Sequence, residues 1–140
     1  MKTTNPSALN KIAGFSLIEL LIAVVIVGIL AAFGYPQYVQ HIIKSGRSEG
    51  ASTLMQLMER QENYYRDNLT YTTSLTDLGY PANTVESETG RYSVAARTCT
   101  SGTIRRCVAL IGTPQNKQAT DPTGNLTLNS RGARSDNWPK

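Results

Sequence analysis

From Leu20 to Ile43 the chain has no Lys, Arg, Asp or Glu, and this interval restricts what the chain can fold into more than any other feature. Residues 15–33 read FSLIELLIAVVIVGILAAF, sixteen apolar positions of nineteen, the exceptions being Ser16, Glu19 and Gly28. A helix rising about 1.5 Å per residue over that length matches a bilayer hydrocarbon core of about 30 Å. The run is apolar on every side, whereas a helix covering a soluble core carries one apolar stripe. A membrane-spanning helix is the physical reading. The alternative is a secretory signal, with Lys2 and Lys11 as its basic end and Ala32-Phe33-Gly34 as a small-x-small cleavage site. Glu19 argues against that alternative, because a carboxylate within the apolar region costs a few kcal/mol on insertion scales.

Beyond Lys44 the chain is mostly polar. With 140 residues, 40% of them hydrophobic and 17% charged, there is room for one small domain, and so divided a chain does not form a single soluble globule. One His and two Cys argue against a metal cluster. The net charge of +4 falls to twelve basic against ten acidic residues without Lys2 and Lys11, a weak pointer to nucleic acid. No nucleophile–base pair, phosphate loop or metal-ligand spacing occurs, and His41 stands alone on the helix. Neither an enzyme nor a cofactor is expected.

Glu19 has two readings. It sits one turn inside the membrane and snorkels to the headgroups, or it has a partner. Gly14-Phe15-Ser16-Leu17-Ile18-Glu19-Leu20 resembles the type IV prepilin signature: a short basic leader ending in Gly before Phe, then an apolar helix with Glu at its fifth residue. The resemblance implies cleavage between Gly14 and Phe15 by prepilin peptidase on the cytoplasmic side, followed by N-methylation of Phe15. Cleavage leaves a positive amine on Phe15, and a charge buried among packed helices requires an opposite one. Glu19 supplies it. In the pilin family that pair joins neighbouring subunits; four residues apart on a helix, the two groups also meet within one chain, and sequence does not separate the cases. Lys44 and Arg47 beyond the apolar run nearly balance Lys2 and Lys11, so charge does not set orientation; the processing motif does, with the N-terminus in the cytoplasm.

Helical periodicity continues past the membrane. Val39, Ile43, Leu54, Leu57 or Met58, and Tyr65 share one stripe, with Gly46 and Gly50 along it, while Arg47, Glu49, Glu59, Arg60 and Glu62 fall largely elsewhere. The pattern predicts one helix over 15–66, its second half lying against a small head and its first half projecting. Gly28, Gly34 and Pro36 interrupt it, and Pro36 predicts a kink. The family resemblance adds that the segment between such a Gly and Pro loses helicity in the fibre. Residues 67–90 read as a loop with one short element, followed by strands over 91–98, 107–113 and 125–129. A three- or four-stranded antiparallel sheet on the amphipathic half of the helix buries these faces. Cys99 and Cys107 flank Ser101-Gly102 nearly symmetrically, so a hairpin centred near Thr103 sets them opposite one another, and outside the cytoplasm a disulfide is the default.

Tyr92-Ser93-Val94, Thr113-Pro114-Gln115, Gln118, Asp121, Gly124-x-Leu126-x-Leu128, Gly132 and Trp138 are similar to the PilE-type minor pilins, a group with relatives that act as DNA receptors in natural transformation. Many such relatives carry Cys where this chain has Thr123 and Asn137, so the bridge closing their C-terminal loop is absent. The resemblance implies an α+β type IV pilin fold in three parts: leader 1–14, apolar transmembrane and assembly helix 15–36, and head 37–140. It implies a structural, minor subunit that enters or primes a type IV pilus; sequence does not separate cell adhesion, twitching motility and DNA uptake as its output. Its partners would be other pilin subunits, prepilin peptidase and the inner-membrane assembly platform. The head would face the periplasm before assembly and the exterior afterwards. Two alternatives stand beside this. A DNA-receptor pilin would use Arg97, Arg105 and Arg106 near the hairpin and Arg131, Arg134 and Lys140 near the C-terminus on phosphates; without interleaved aromatics these read first as solvated surface. A type II secretion pseudopilin would share the stalk, but the major pseudopilins end in an acidic calcium-binding region and this tail is basic.

Overall fold

A computed structural model describes residues 15–139; the expected leader, its Gly14 scissile bond and Lys140 lie outside the described residues. Helix α1 spans Leu17–Asn68, 52 residues, the length expected but displaced by two positions at each end. Its first turn closes on the Ser16 carbonyl, which accepts from the Glu19 and Leu20 N–H groups at 3.1 and 3.2 Å. Its last turn ends where Leu69, at φ 53°, leaves the right-handed region while still donating its N–H to the Tyr65 carbonyl. The chain divides into two compact units at Tyr38/Val39.

In the first unit every described residue from Phe15 to Tyr38 is exposed. An 18-residue window there has a mean hydropathy of 2.8, with none of it buried. The helix continues through Gly34 and Pro36, although Pro36 has no N–H to offer the Ala32 carbonyl.

The second unit is the head. Its share of α1 buries Ile43, Gly46, Gly50, Ala51, Leu54, Leu57 and Gln61, the i, i+3, i+4 stripe of an amphipathic helix. Against it lies an antiparallel meander in the order β1-β2-β3-β4: Val85–Glu86, Tyr92–Thr98, Val108–Pro114 and Leu126–Asn129. Strands β2 and β3 both alternate buried and half-buried residues, so one face points to the helix. Leu54, Leu57, Tyr92, Val94, Val108, Leu110 and Leu126 form the centre of the core with Leu75, which a short 3-10 turn at Leu75–Leu78 brings in from the connecting segment. A second such turn, Asn116–Thr120, lies between β3 and β4.

That connecting segment is held from the helix by a buried amide. Gln61 donates through Nε2 to the Thr72 carbonyl at 2.7 Å and accepts the Thr72 N–H on Oε1 at 3.1 Å. Two backbone groups that would be orphaned in the core are thereby satisfied. Nothing in the helical periodicity singled out Gln61, since a lone polar residue in the stripe reads as a tolerated defect.

Candidate functional site

The N-terminal element is the first candidate. Phe15 is 80% exposed, and Glu19 stands in the first turn of α1, where the unpaired N–H groups at a helix start favour a carboxylate. Among the described residues the Glu19 carboxylate has no ion partner, since the one salt bridge found there is Arg47–Asp121. Leu17, Ile18, Leu20, Leu21, Ile22, Val24 and Val25 around it are all more than half exposed. An apolar surface of this extent marks a membrane or protein contact rather than a free surface in water.

The second candidate is the junction between helix and sheet within the head. Gly46 and Gly50 are there for close approach. A Cβ on Gly50 would come within 2.7 Å of the Tyr92 ring, and one on Gly46 would strike the Gln118 side-chain amide. Through that gap Gln118 reaches the Ile43 carbonyl at 3.1 Å, the Tyr92 hydroxyl at 3.3 Å and Asp121 Oδ2 at 3.1 Å. Arg47 donates from Nε and Nη2 to the two Asp121 oxygens, both at 2.5 Å, the planar two-point geometry that makes such pairs strong. Asp121 also accepts the Thr123 N–H at 3.0 Å and hydroxyl at 2.7 Å. The Arg47 guanidinium, aided by Thr123, holds the Asp121 carboxyl well below the usual carboxylate range despite its burial. Burial pushes the Tyr92 phenol up. One turn away Arg91 donates to the Ile42 carbonyl at 2.9 Å. Sequence reasoning had Gln118 and Asp121 only as points of resemblance. The available signal was Asp121-Pro122-Thr123, an acid two residues before a hydroxyl, which favours a side-chain-closed turn.

The third candidate is the hairpin. Thr98 pairs with Val108 in the β2–β3 register, which centres the connection on Thr103. Cys99 and Cys107 are joined there in a disulfide with Cα atoms 5.6 Å apart. The Tyr71 N–H donates to the Ile104 carbonyl at 3.3 Å, and Arg131 Nη2 to the Ser101 carbonyl at 3.2 Å. The hairpin is thus tied both to the connecting segment and to the turn after β4. Arg97, Arg105, Arg106 and Arg131 are exposed at this end of the sheet. Arg134 is not part of the group; it lies over the Trp138 ring at 5.0 Å.

Thr123 and Asn137, 14 positions apart in sequence, meet. Asn137 Nδ2 lies 3.1 Å from the Thr123 carbonyl, 3.3 Å from its hydroxyl and 3.3 Å from the Asn125 carbonyl. The C-terminal loop without a covalent bridge is closed by an amide that donates to neighbouring backbone.

The family model described as "Type IV minor pilin ComP, DNA uptake sequence receptor" matches residues 36–127, most of the head. The chain belongs to the type IV minor pilin family. A model of the prokaryotic N-terminal methylation motif matches residues 9–35 of this pilin. The Type IV major pilin protein PilA of Myxococcus xanthus is 33% identical to it over 86 residues, covering 61% of this chain and 39% of that one. The Type IV major fimbrial protein FimA of Dichelobacter nodosus is 39% identical over 84 residues, covering 59% and 49%. The matches therefore span between about two-fifths and one-half of these relatives' own length. A solved type IV pilin from Shewanella oneidensis aligns with a TM-score of 0.48 at 24% identity, covering 67% of this chain and 92% of that one.

Proposed function

We propose that this pilin is a structural subunit that enters, or primes, a type IV pilus. The observation that carries the reading is the first unit: a helix apolar and exposed on every side, with one carboxylate, Glu19, in its opening turn. In this reading residues 1–14 are a leader removed by prepilin peptidase at Gly14, and Phe15 is then N-methylated. Residues 15–36 first cross the inner membrane and then pack against other subunits, while 37–140 form the head, periplasmic before assembly and external after it. The Phe15 amine and Glu19 neutralise each other across neighbouring subunits and set their register. Pro36 is where the helix bends or, with Gly28, loosens as the subunit leaves the bilayer. The assembly platform is the partner at that step. Mass spectrometry of sheared pili, with membranes from the same culture, tests this. A peptide starting at methylated Phe15 in the fibre is the expected result, at a low ratio to the dominant pilin. Mature protein confined to membranes removes the shaft reading and favours a primer or a pseudopilin.

A second reading is favoured by one specific observation, the exposed arginines at positions 97, 105, 106 and 131 gathered at the disulfide hairpin. The family description names a DNA uptake sequence receptor. In this reading the hairpin end contacts DNA phosphates, and binding by the purified full chain falls steeply with salt. Replacing Arg105 and Arg106 by Ala lowers that salt slope; a slope unchanged by the replacement removes the reading.

A further inference from the structure

At the opposite end of the sheet from the hairpin, within the head, the C-terminal segment returns to the helix. Lys44, Arg47 and Ser48 of α1 and Asn137, Trp138 and Pro139 line a groove of about 370 Å³. Its charge is positive. Arg47 is neutralised by Asp121, while Lys44 is exposed and has no ion pair among the described residues. Arg91 is half-buried on the neighbouring Ile42 carbonyl, and Arg134 lies over Trp138. The nearest helix carboxylate, Glu49, is occupied by the Thr89 N–H and hydroxyl at 2.7 and 2.6 Å. The groove therefore offers an ammonium, the Ser48 hydroxyl and an indole to an anion that carries apolar substance with it.

The chain also dictates where such a ligand comes from. Lys44 is the first charged residue after Glu19 and follows Phe33, the end of the apolar run, by eleven positions. A lysine this soon after an apolar run snorkels its ammonium toward the headgroups. Tyr35 and Tyr38, both exposed, fall between them, and aromatic residues are enriched where a helix leaves the hydrocarbon.

We propose that the groove formed by Lys44, Arg47 and Trp138 takes the phosphate of an anionic phospholipid headgroup, with Lys44 on the phosphate and the indole against the glycerol and upper acyl region. The site is occupied while the subunit is still in the membrane and is vacated when it moves into a fibre. It rests on the reading that residues 15–36 cross the bilayer. The headgroup then acts as a retaining contact that assembly has to exchange for protein neighbours.

Trp138 is the sole tryptophan; it also packs against the core and under Arg134, so the readout is the difference in its emission between vesicle types rather than its absolute position. The full chain is reconstituted into vesicles of phosphatidylcholine, or of phosphatidylcholine mixed with phosphatidylglycerol. With phosphatidylglycerol, Trp138 emission shifts to the blue and is quenched by a headgroup-labelled nitroxide lipid. Lys44→Gln reduces the apparent affinity for phosphatidylglycerol about fivefold, the weight of one basic residue at an anionic surface, and Lys44→Arg restores it. Identical emission in the two vesicle types overturns the proposal, as does a Lys44→Gln response equal to that of the parent chain. A matching shift produced by inorganic phosphate on pure phosphatidylcholine vesicles also overturns it, since the groove would then hold a free anion. A chain extracted by carbonate from both vesicle types removes the membrane-spanning reading itself, and the proposal with it; a retained chain with unresponsive Trp138 removes the proposal alone.

Discussion

Two carboxylates mark the contrast between the stalk and the head. Asp121 is fully buried at its side chain and is met by Arg47, Gln118 and Thr123. Glu19 stands on an exposed helix with no ion partner among the described residues. The same contrast holds for the apolar surface. In the head, Leu54, Leu57, Leu75 and Tyr92 are wholly buried; in the stalk, Phe15, Leu17 and Phe33 are more than 70% exposed. Among the described residues no buried side-chain polar atom lacks a hydrogen bond. The head thus completes its interactions inside one chain, and the apolar surface of the stalk has no partner among the described residues. Damage to one should be felt in folding, and damage to the other in assembly.

The sharpest break of that contrast is Glu19→Ala. In the proposed reading it is expected to abolish recovery of the subunit in sheared pili, since the amine that processing would leave on Phe15 would then be buried unpaired. Thermal unfolding of the head in detergent should remain at the parent value. A loss of head stability in that variant would show that the two regions are not separable in the way their surfaces imply.

Asp121→Ala is the converse experiment. Removing one member of a largely buried, doubly hydrogen-bonded pair typically costs about 3–5 kcal/mol, and the loss should appear in denaturant unfolding. The pH dependence has a definite sign. The Asp121 carboxyl is depressed in the folded head, with Arg47 as the main cause. Its contribution is therefore complete above its ordinary value near 3.8 and is lost as pH falls below that toward the folded value. Parent protein should lose stability on acidification below about pH 4, and Asp121→Asn should flatten that part of the curve. An unchanged acid slope would place the acid sensitivity on other groups.

How far these regions were legible in the sequence follows from the range of the forces involved. The apolar run, the amphipathic stripe and the strand alternation are periodic and local, so α1 and strands β2 to β4 were foreseen within two residues at each end. Cys99 and Cys107 were paired correctly because a hairpin's register is set by its turn. A fourth strand was allowed for but not placed within the loop over 67–90, because Val85–Glu86 exists only through pairing with Ser93 and Val94. Gly46 and Gly50 were visible on the stripe, yet their purpose was not. Close approach depends on Gln118 and Tyr92, which lie 72 and 42 positions away in sequence. Long-range polar partners leave no periodic trace, and the Gln61–Thr72 clamp was missed for the same reason.

The disulfide gives a smaller effect inside the head. Closing so short a loop is worth about 2–3 kcal/mol in the chain-entropy treatment, so Cys99→Ser with Cys107→Ser should lower stability by about that amount. The hairpin also carries Arg105 and Arg106, so the same variant sharpens the comparison in function. Pilus incorporation should persist, because in the proposed reading it depends on the stalk, while any salt-dependent DNA binding should weaken as the arginine end loses its fixed geometry. Fibre assembly lost in step with stability would tie the hairpin to assembly instead.

The smallest expected effect is at the C-terminal loop. Asn137 donates from a single amide nitrogen to a cluster of acceptors on residues 123–125, and such exchanges of protein for water hydrogen bonds net about 1 kcal/mol. Asn137→Ala should cost about that much. Thr123→Cys with Asn137→Cys replaces the amide by a covalent closure at the same two positions, whose side chains already touch. The double variant should oxidise to an intramolecular disulfide, detected as a mass loss of two hydrogens and protection from thiol alkylation. It should raise stability relative to its own reduced form, because a crosslink removes entropy from the unfolded chain. A double variant that stays reduced under oxidising conditions would mean that the backbones at 123 and 137 are held at the wrong separation, and that the amide is a spacer rather than a substitute for a bridge. Oxidation without a gain in stability would show that the hydrogen-bonded loop was already as well fixed as a covalent one, so that in this head a neutral amide on backbone carbonyls is enough to close the loop.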